Sequence, residues 1–185
     1  MTISHFAIFI ILVGLVYVMY AYNQGVILRN YVREAFATMD VYLKKRWDLV
    51  PNLVECVKQY SAYEKDLLIE LTSIRAKVYT ELSNKEKIET NLRLGQALSK
   101  FTAVAENYSD LKANQTYITL MQQLENIEND IANARKYYNG TVRELNTFLE
   151  VFPSNLIGSL FHFEKAKLYN IDEEERANVK VEMHD

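Results

Sequence analysis

The N-terminal apolar segment is the feature that most constrains how this chain can fold. No charged side chain occurs from Phe6 to Leu28. Its most apolar part, from near Ile3 to near Tyr22, gives about 20 residues, or about 30 Å of helix, which matches the thickness of a bilayer core. Tyr20 and Tyr22 fall where interfacial aromatic side chains would lie. We therefore predict an uncleaved transmembrane anchor over residues 1–25.

A cleaved signal peptide and a buried core helix are the two other interpretations of this segment. The first is disfavoured because residues 1–5 contain no Lys or Arg and no clean small-x-small cleavage site follows the apolar run. The second is disfavoured because a core helix is seldom so uniformly apolar at the start of a chain. Ala7, Gly14 and Ala21 share one helix face, which indicates either a seam between transmembrane helices or chance spacing.

The charges on either side of the anchor predict its orientation. No basic residue precedes it, whereas Arg29 and Arg33 follow it, and Lys44, Lys45 and Arg46 come further along the chain. The positive-inside rule then places the N-terminus outside the cell and the C-terminal body in the cytoplasm.

Helical periodicity dominates from Val26 to Phe152. Apolar residues three and four positions apart run from Tyr117 to Phe152, from Leu53 to Leu82 and from Ile88 to Tyr108, as in the buried seams of bundle helices. Five Gly and two Pro in 185 residues disfavour folds with many tight turns. We predict an all-α protein, in which an N-terminal transmembrane helix is followed by an antiparallel up-and-down four-helix bundle over residues 26–152.

Few residues mark the ends of these helices. No Gly or Pro lies between Val26 and Lys45, so the membrane helix can continue unbroken into the first helix of the body. A helix end is predicted around Pro51. Asn84 and Asp110 are the predicted caps of the third and fourth helices, and Gly140 permits a local bend in the last one.

The pattern changes after Phe152. Residues 153–171 are apolar and irregular, which predicts a segment that packs on the bundle or on a partner, with Phe161 and Phe163 as its candidate contacts. Residues 172–185 carry six acidic and two basic side chains. They are expected to form a disordered acidic tail.

The composition supplies little for catalysis. Cys56 is the only cysteine and there are three histidines, so an internal disulfide and a cysteine-rich zinc site are excluded. The chain has no Glu-x-x-His pair for a di-iron bundle, no zincin motif and no Gly-rich phosphate loop. A net charge of −3 gives no footprint for nucleic acid. We expect no catalytic residue, no metal, no cofactor and no nucleic-acid partner.

Polar residues close to the apolar seams are the candidate functional residues. They could satisfy helix ends and fix the register of the bundle, or they could form a recognition surface for a partner. These candidates are Asp40, Arg46, Asp48, Glu106, Asn107, Asn114, Glu125, Arg135 and Asn139.

Three stretches of the chain resemble the LemA family: residues 40–55, 106–114 and 125–135, with the first reading Asp-Val-Tyr-Leu-Lys-Lys-Arg-Trp-Asp-Leu-Val-Pro-Asn-Leu-Val-Glu. Tyr138-Asn139 and Phe152-Pro153 extend the resemblance, which covers residues 1–171. Pro51 and Asn52 of the first stretch join the candidates on this basis. The resemblance implies a single-pass protein of the bacterial inner membrane that carries a helical bundle and has no established enzymatic activity.

Three functions follow from these expectations. The favoured one is a membrane-anchored scaffold without catalytic activity, which acts through self-association or through protein contacts, with the lipid bilayer as its first partner. The alternative is an adaptor for another membrane protein, such as a quality-control metalloprotease. An enzyme is the least favoured, because no nucleophile and base are paired in the sequence.

Overall fold

The computed structural model describes residues 2–58 and 65–169, which are mostly helical. The helices are α1 (Thr2–Val57), α2 (Lys65–Arg75), α3 (Asn84–Ala105), α4 (Ser109–Lys112), α5 (Gln115–Glu150) and α6 (Ser154–Leu160), with a 3-10 turn at Tyr79–Glu81. No β-strand occurs within the described residues. The predicted all-α class is confirmed. The four-helix arrangement and the domain bounds stay predictions, and the acidic tail at 172–185 lies outside the described residues.

Helix α1 runs for 56 residues from the apolar N-terminus into the body, so the predicted continuity is confirmed. The helix end predicted at Pro51 is wrong, because Pro51 lies inside α1. A proline inside a helix costs about 3 kcal/mol, since it removes a backbone donor and crowds the preceding turn. Val50 and Leu53 beside it are fully buried, and their packing offsets this cost. The run predicted from Leu53 to Leu82 is not one helix: it begins in α1 and continues in α2, and Val78 and Leu82 lie beyond the end of α2.

Two predicted helix caps are also corrected. Ser83, not Asn84, caps α3: its Oγ accepts from the Glu86 amide, and a Glu86 carboxylate oxygen accepts from the Ser83 amide at 2.9 Å. Asp110 lies in the short helix α4, which delays the start of the next helix. Asn114 takes the capping role for α5, because its Oδ1 accepts from the amides of the second and third helical residues, at 2.8 and 3.2 Å.

The long helix α5 buries most of its predicted seam and continues through Gly140 without a break. The buried seam residues are Tyr117, Leu120, Leu124, Ile131, Ala134, Tyr138, Val142 and Leu145. In α3 the predicted seam is buried from Leu94 to Ala105 and differs only at its start and at Tyr108, which lies beyond the helix. Ile88 and Leu92 are only half-buried, and Asn91 is buried in their place, ahead of the predicted Leu94, Leu98, Phe101 and Ala105.

Packing divides the described chain into two units. One consists of residues 2–39 and 133–168, and the other of residues 40–58 and 65–132 together with Tyr169. Helices α1 and α5 each contribute to both units, because the divisions fall at positions 39 and 132.

The N-terminal part of α1 is apolar and bare. Its most apolar 18-residue window has a mean hydropathy of 2.1, and only 6% of that window is buried. By length and composition, this helix is able to cross a membrane. Within the described residues it is the one helix with that property.

Candidate functional site

A cluster of polar side chains lies in the unit formed by residues 40–58 and 65–132. At its centre is Arg46 of α1, which is only 4% exposed. Its Nη1 donates to both carboxylate oxygens of Glu128, at 2.9 and 3.0 Å. Its Nη2 donates to the backbone oxygen of Asn91 at 2.6 Å and to the Oδ1 of the same residue at 3.2 Å. One guanidinium therefore links α1 to both α3 and α5 through charge-assisted hydrogen bonds.

Helix α3 is shaped to receive this guanidinium. Asn91 is fully buried, and its Nδ2 donates to the Lys87 backbone oxygen at 3.0 Å, which leaves Oδ1 facing Arg46. One turn further on, a Cβ atom at Gly95 would lie 3.3 Å from Nη1 of Arg46. A larger residue at position 95 would crowd the arginine, so the glycine serves a close approach.

Asp40 organises the other half of the cluster. Its two carboxylate oxygens accept from the Tyr79 hydroxyl and from Nζ of Lys87, each at 2.7 Å. The Tyr79 ring packs against the Trp47 ring with centroids 5.3 Å apart, and Nζ of Lys87 lies 5.1 Å from the Tyr79 ring centroid. Lys87 joins this half to the arginine, because its backbone oxygen accepts from Asn91 while its Nζ donates to Asp40. The cluster is therefore continuous.

The environment of Tyr79 holds its hydroxyl in the neutral form. Burial is the main cause that raises its pKa well above the ordinary value, and the hydrogen bond to Asp40 and the negative charge of that residue add to it. Burial also raises the pKa of Tyr138 in the other unit. A tyrosine with a raised pKa in the folded state resists ionisation only while the fold persists.

We expect the Tyr79→Phe variant to respond less to alkaline pH than the parent chain. In the parent, the stability that depends on neutral Tyr79 is complete below the unfolded pKa of about 10. It is lost above that pH by up to about 1.4 kcal/mol per pH unit, since the unfolded state releases the proton first. The variant lacks this contribution. Chemical unfolding of both proteins at pH values from 8 to about 11 measures the difference, and equal slopes above pH 10 would contradict the role of Tyr79.

Two of the predicted candidates, Asp40 and Arg46, belong to the cluster. Asp48 lies outside it and pairs with Lys44 on the exposed surface of α1. Asn52 and Asn114 line an open cavity in the same unit, together with Cys56. The remaining candidates are dispersed: Pro51, Glu106, Asn107 and Glu125 are exposed, and Arg135 and Asn139 are half-buried in the α5 segment of the other unit.

Sequence reasoning missed Tyr79, Lys87 and Asn91 as members of the cluster. Asn91 could have been found, because it lies three residues before Leu94 on the buried face of α3. A polar residue in such a seam needs a buried partner. Tyr79 and Lys87 gave no comparable signal, since one lies in a turn and the other is one of many lysines.

The charged groups of the cluster are paired with one another, although the buried Nε of Arg46 has no hydrogen-bond partner among the described residues. Lys87 and Arg46 neutralise the carboxylates of Asp40 and Glu128. Outside the cluster, burial raises the pKa of the Cys56 thiol, which disfavours the nucleophilic thiolate. Among the described residues there is no group of three or more His, Cys, Asp or Glu side chains able to hold a metal ion. This geometry favours the register-fixing interpretation of Asp40 and Arg46.

The two phenylalanines of the C-terminal segment contact their own chain. The Phe161 ring lies 4.8 Å from the Tyr22 ring, and the Phe163 ring lies 5.3 Å from the Arg29 guanidinium carbon. The segment then follows α5, where Asn146 exchanges two hydrogen bonds of 2.9 Å with the backbone of Ala166. Residues 161–168 are thus held on α1 and α5 within one unit.

Comparison with known proteins agrees with the motifs in the sequence. A sequence model of the LemA family matches residues 35–183. Protein LemA of Metamycoplasma hominis is 20% identical over 174 residues, an alignment that covers 92% of this chain and 80% of that protein. The family match includes all members of the polar cluster and begins beyond the bare apolar end of α1.

Proposed function

The chain belongs to the LemA family, and from that premise we propose that it is a membrane-anchored helical scaffold that acts through self-association or other protein contacts at the bilayer, without catalysis. The bilayer is that of a bacterial inner membrane. In this proposal α1 crosses the membrane once, with its N-terminus outside and the body in the cytoplasm.

The exposed apolar end of α1 is the observation that carries the proposal. Phe6, Ile11 and Val16 are each more than half exposed. Apolar surface in contact with water is unfavourable by about 25 cal/mol per Å², and this helix end is too extensive to remain in water. A lipid environment removes that cost, and the length of the segment matches a single crossing.

Two features support a scaffold in preference to an enzyme. The carboxylates of Asp40 and Glu128 are paired with Lys87 and Arg46, which gives them a structural role. On the anchor, a Cβ atom at Gly14 would meet nothing within 4 Å, so this face can accept a second transmembrane helix at short distance.

Anchoring and orientation are tested together by a tag placed after Asp185. We expect the tag to sediment with membranes at alkaline pH and to survive externally added protease in intact cells, because Arg29 and Arg33 retain the body inside. A matched chain that begins at residue 26 should be released by the alkaline wash. Full-length protein in the soluble fraction would refute the anchor, and digestion of the tag without lysis would refute the orientation.

A further inference from the structure

The corner formed by residues 152–161, which includes helix α6, lies at the level of the end of the apolar span. In the unit that contains both helices, the Phe36 and Tyr138 rings have centroids 5.8 Å apart. Nearer the membrane segment, a Cβ atom at Gly25 would lie 3.1 Å from a ring carbon of Phe148. Between these two contacts the residue number falls from 36 to 25 along α1 and rises from 138 to 148 along α5. This antiparallel register brings the residues after Glu150 to the level of Tyr22.

Helix α6 in this corner has one face that packs on the protein and another that is exposed. On the first face, the Ser154 hydroxyl donates to the Phe148 backbone oxygen at 2.6 Å, and Gly158 packs closely on Leu149. On the bare face, Leu156 is 59% exposed and Leu160 is 65% exposed. Phe152, at the corner itself, is 79% exposed.

The bare face of this corner is continuous with the exposed surface of the anchor. The Phe161 ring contacts Tyr22, which is itself exposed next to Tyr20 at the end of the apolar span. No charged residue occurs from Val151 to Phe161. Glu150 lies directly before this stretch, and Glu164 and Lys165 follow it. Glu150 and Lys165 form an ion pair of 2.9 Å. The apolar surface is therefore bounded by charges on the side away from the span.

We propose that the corner formed by residues 152–161 inserts into the interfacial layer of the bilayer, with the side chains of Phe152, Leu156 and Leu160 among the lipids. This second membrane contact rests on the proposed function, because it requires α1 to be in the membrane. A short amphipathic helix whose apolar side chains face the headgroup and acyl boundary is the usual form of such a contact. The corner and α1 together fix how this unit is rotated about the axis of the anchor.

The experiment uses the full-length chain in phosphatidylcholine vesicles with an environment-sensitive fluorophore on a single cysteine. The background variant is Cys56→Ser, and the labelled positions are Leu160→Cys, Phe9→Cys in the span and Ser99→Cys on the exposed surface of α3. We expect lipids with a shallow doxyl group to quench the fluorophore at Leu160 several-fold more than the one at Ser99. Its emission maximum should also shift to the blue.

The two controls separate failure of this inference from failure of the anchor. If lipid quenches the fluorophore at Phe9 while iodide in the water quenches the one at Leu160, the corner is in water and the inference is overturned although the anchor stands. If neither lipid nor iodide reaches Leu160, a protein covers the corner and the inference is again overturned. If lipid does not quench the fluorophore at position 9, both the anchor and the second membrane contact are refuted. Near-ultraviolet circular dichroism of each labelled protein checks that the fold is retained.

Discussion

Replacing Leu124 with Asp is expected to unfold the body of the protein. Leu124 is buried on the seam of α5, so the change removes an apolar contact worth about 1.5–3 kcal/mol and places a carboxylate in a buried position. The combined loss is about 4 kcal/mol or more, a large part of the 5–15 kcal/mol that typically holds a domain together. Denaturant unfolding of the full chain in detergent, followed by circular dichroism, measures the loss.

The neighbouring residue supplies the matched control for this variant. Gln123 is exposed on the same helix, so Gln123→Asp should change the free energy of unfolding by no more than about 0.5 kcal/mol. Ile131→Asp, which lies on the buried seam, should behave like Leu124→Asp. Normal unfolding of both seam variants would mean that the buried face of α5 is assigned incorrectly.

Replacing Arg46 with Ala is expected to cost about 3 kcal/mol. The change leaves the buried backbone oxygen of Asn91 without its 2.6 Å partner and opens a cavity where a fully enclosed side chain stood. The loss stays below that for a deeply buried ion pair, because the Glu128 side chain is 41% exposed and can recover water. Denaturant unfolding monitored by Trp47 fluorescence reports the change beside the cluster.

A surface ion pair on the same helix is the control for Arg46. Asp48→Ala breaks the ion pair between Lys44 and Asp48. The Lys44 side chain is 40% exposed and the Asp48 side chain is 50% exposed. Exposed pairs of this kind contribute between about 0 and 1 kcal/mol, so this variant should unfold nearly as the parent does. Equal losses in the Asp48 and Arg46 variants would contradict the central position of Arg46 in the cluster.

The helical class of the fold could be predicted because its signal is strong and periodic. The seam of α5 is a repeat of threes and fours that only one helix face can bury, and the structure buries most of it. Helix ends were less predictable, since local signals compete with packing. Pro51 indicates a helix end by its chemistry, yet the side chains of Val50 and Leu53 keep it inside α1.

The candidate site was predictable only in part, because its members come from separate elements. Asp40 and Arg46 lie on one helix and could be noted as polar residues beside a seam. Their partners Tyr79 and Glu128 are 39 and 82 positions away, and no local pattern states which distant residues will meet. The contact of Phe161 with Tyr22 could not be predicted from the sequence for the same reason, since it depends on how α5 and α6 pack against α1.

Native mass spectrometry of the full-length chain, extracted from membranes with its bound lipids, tests the proposed scaffold most directly. At micromolar concentration, self-association predicts masses at whole multiples of the 21.6 kDa chain. A stoichiometric complex with one unrelated membrane protein would contradict self-association and point to an adaptor for that protein. A strict monomer without any protein partner would contradict the proposed function itself.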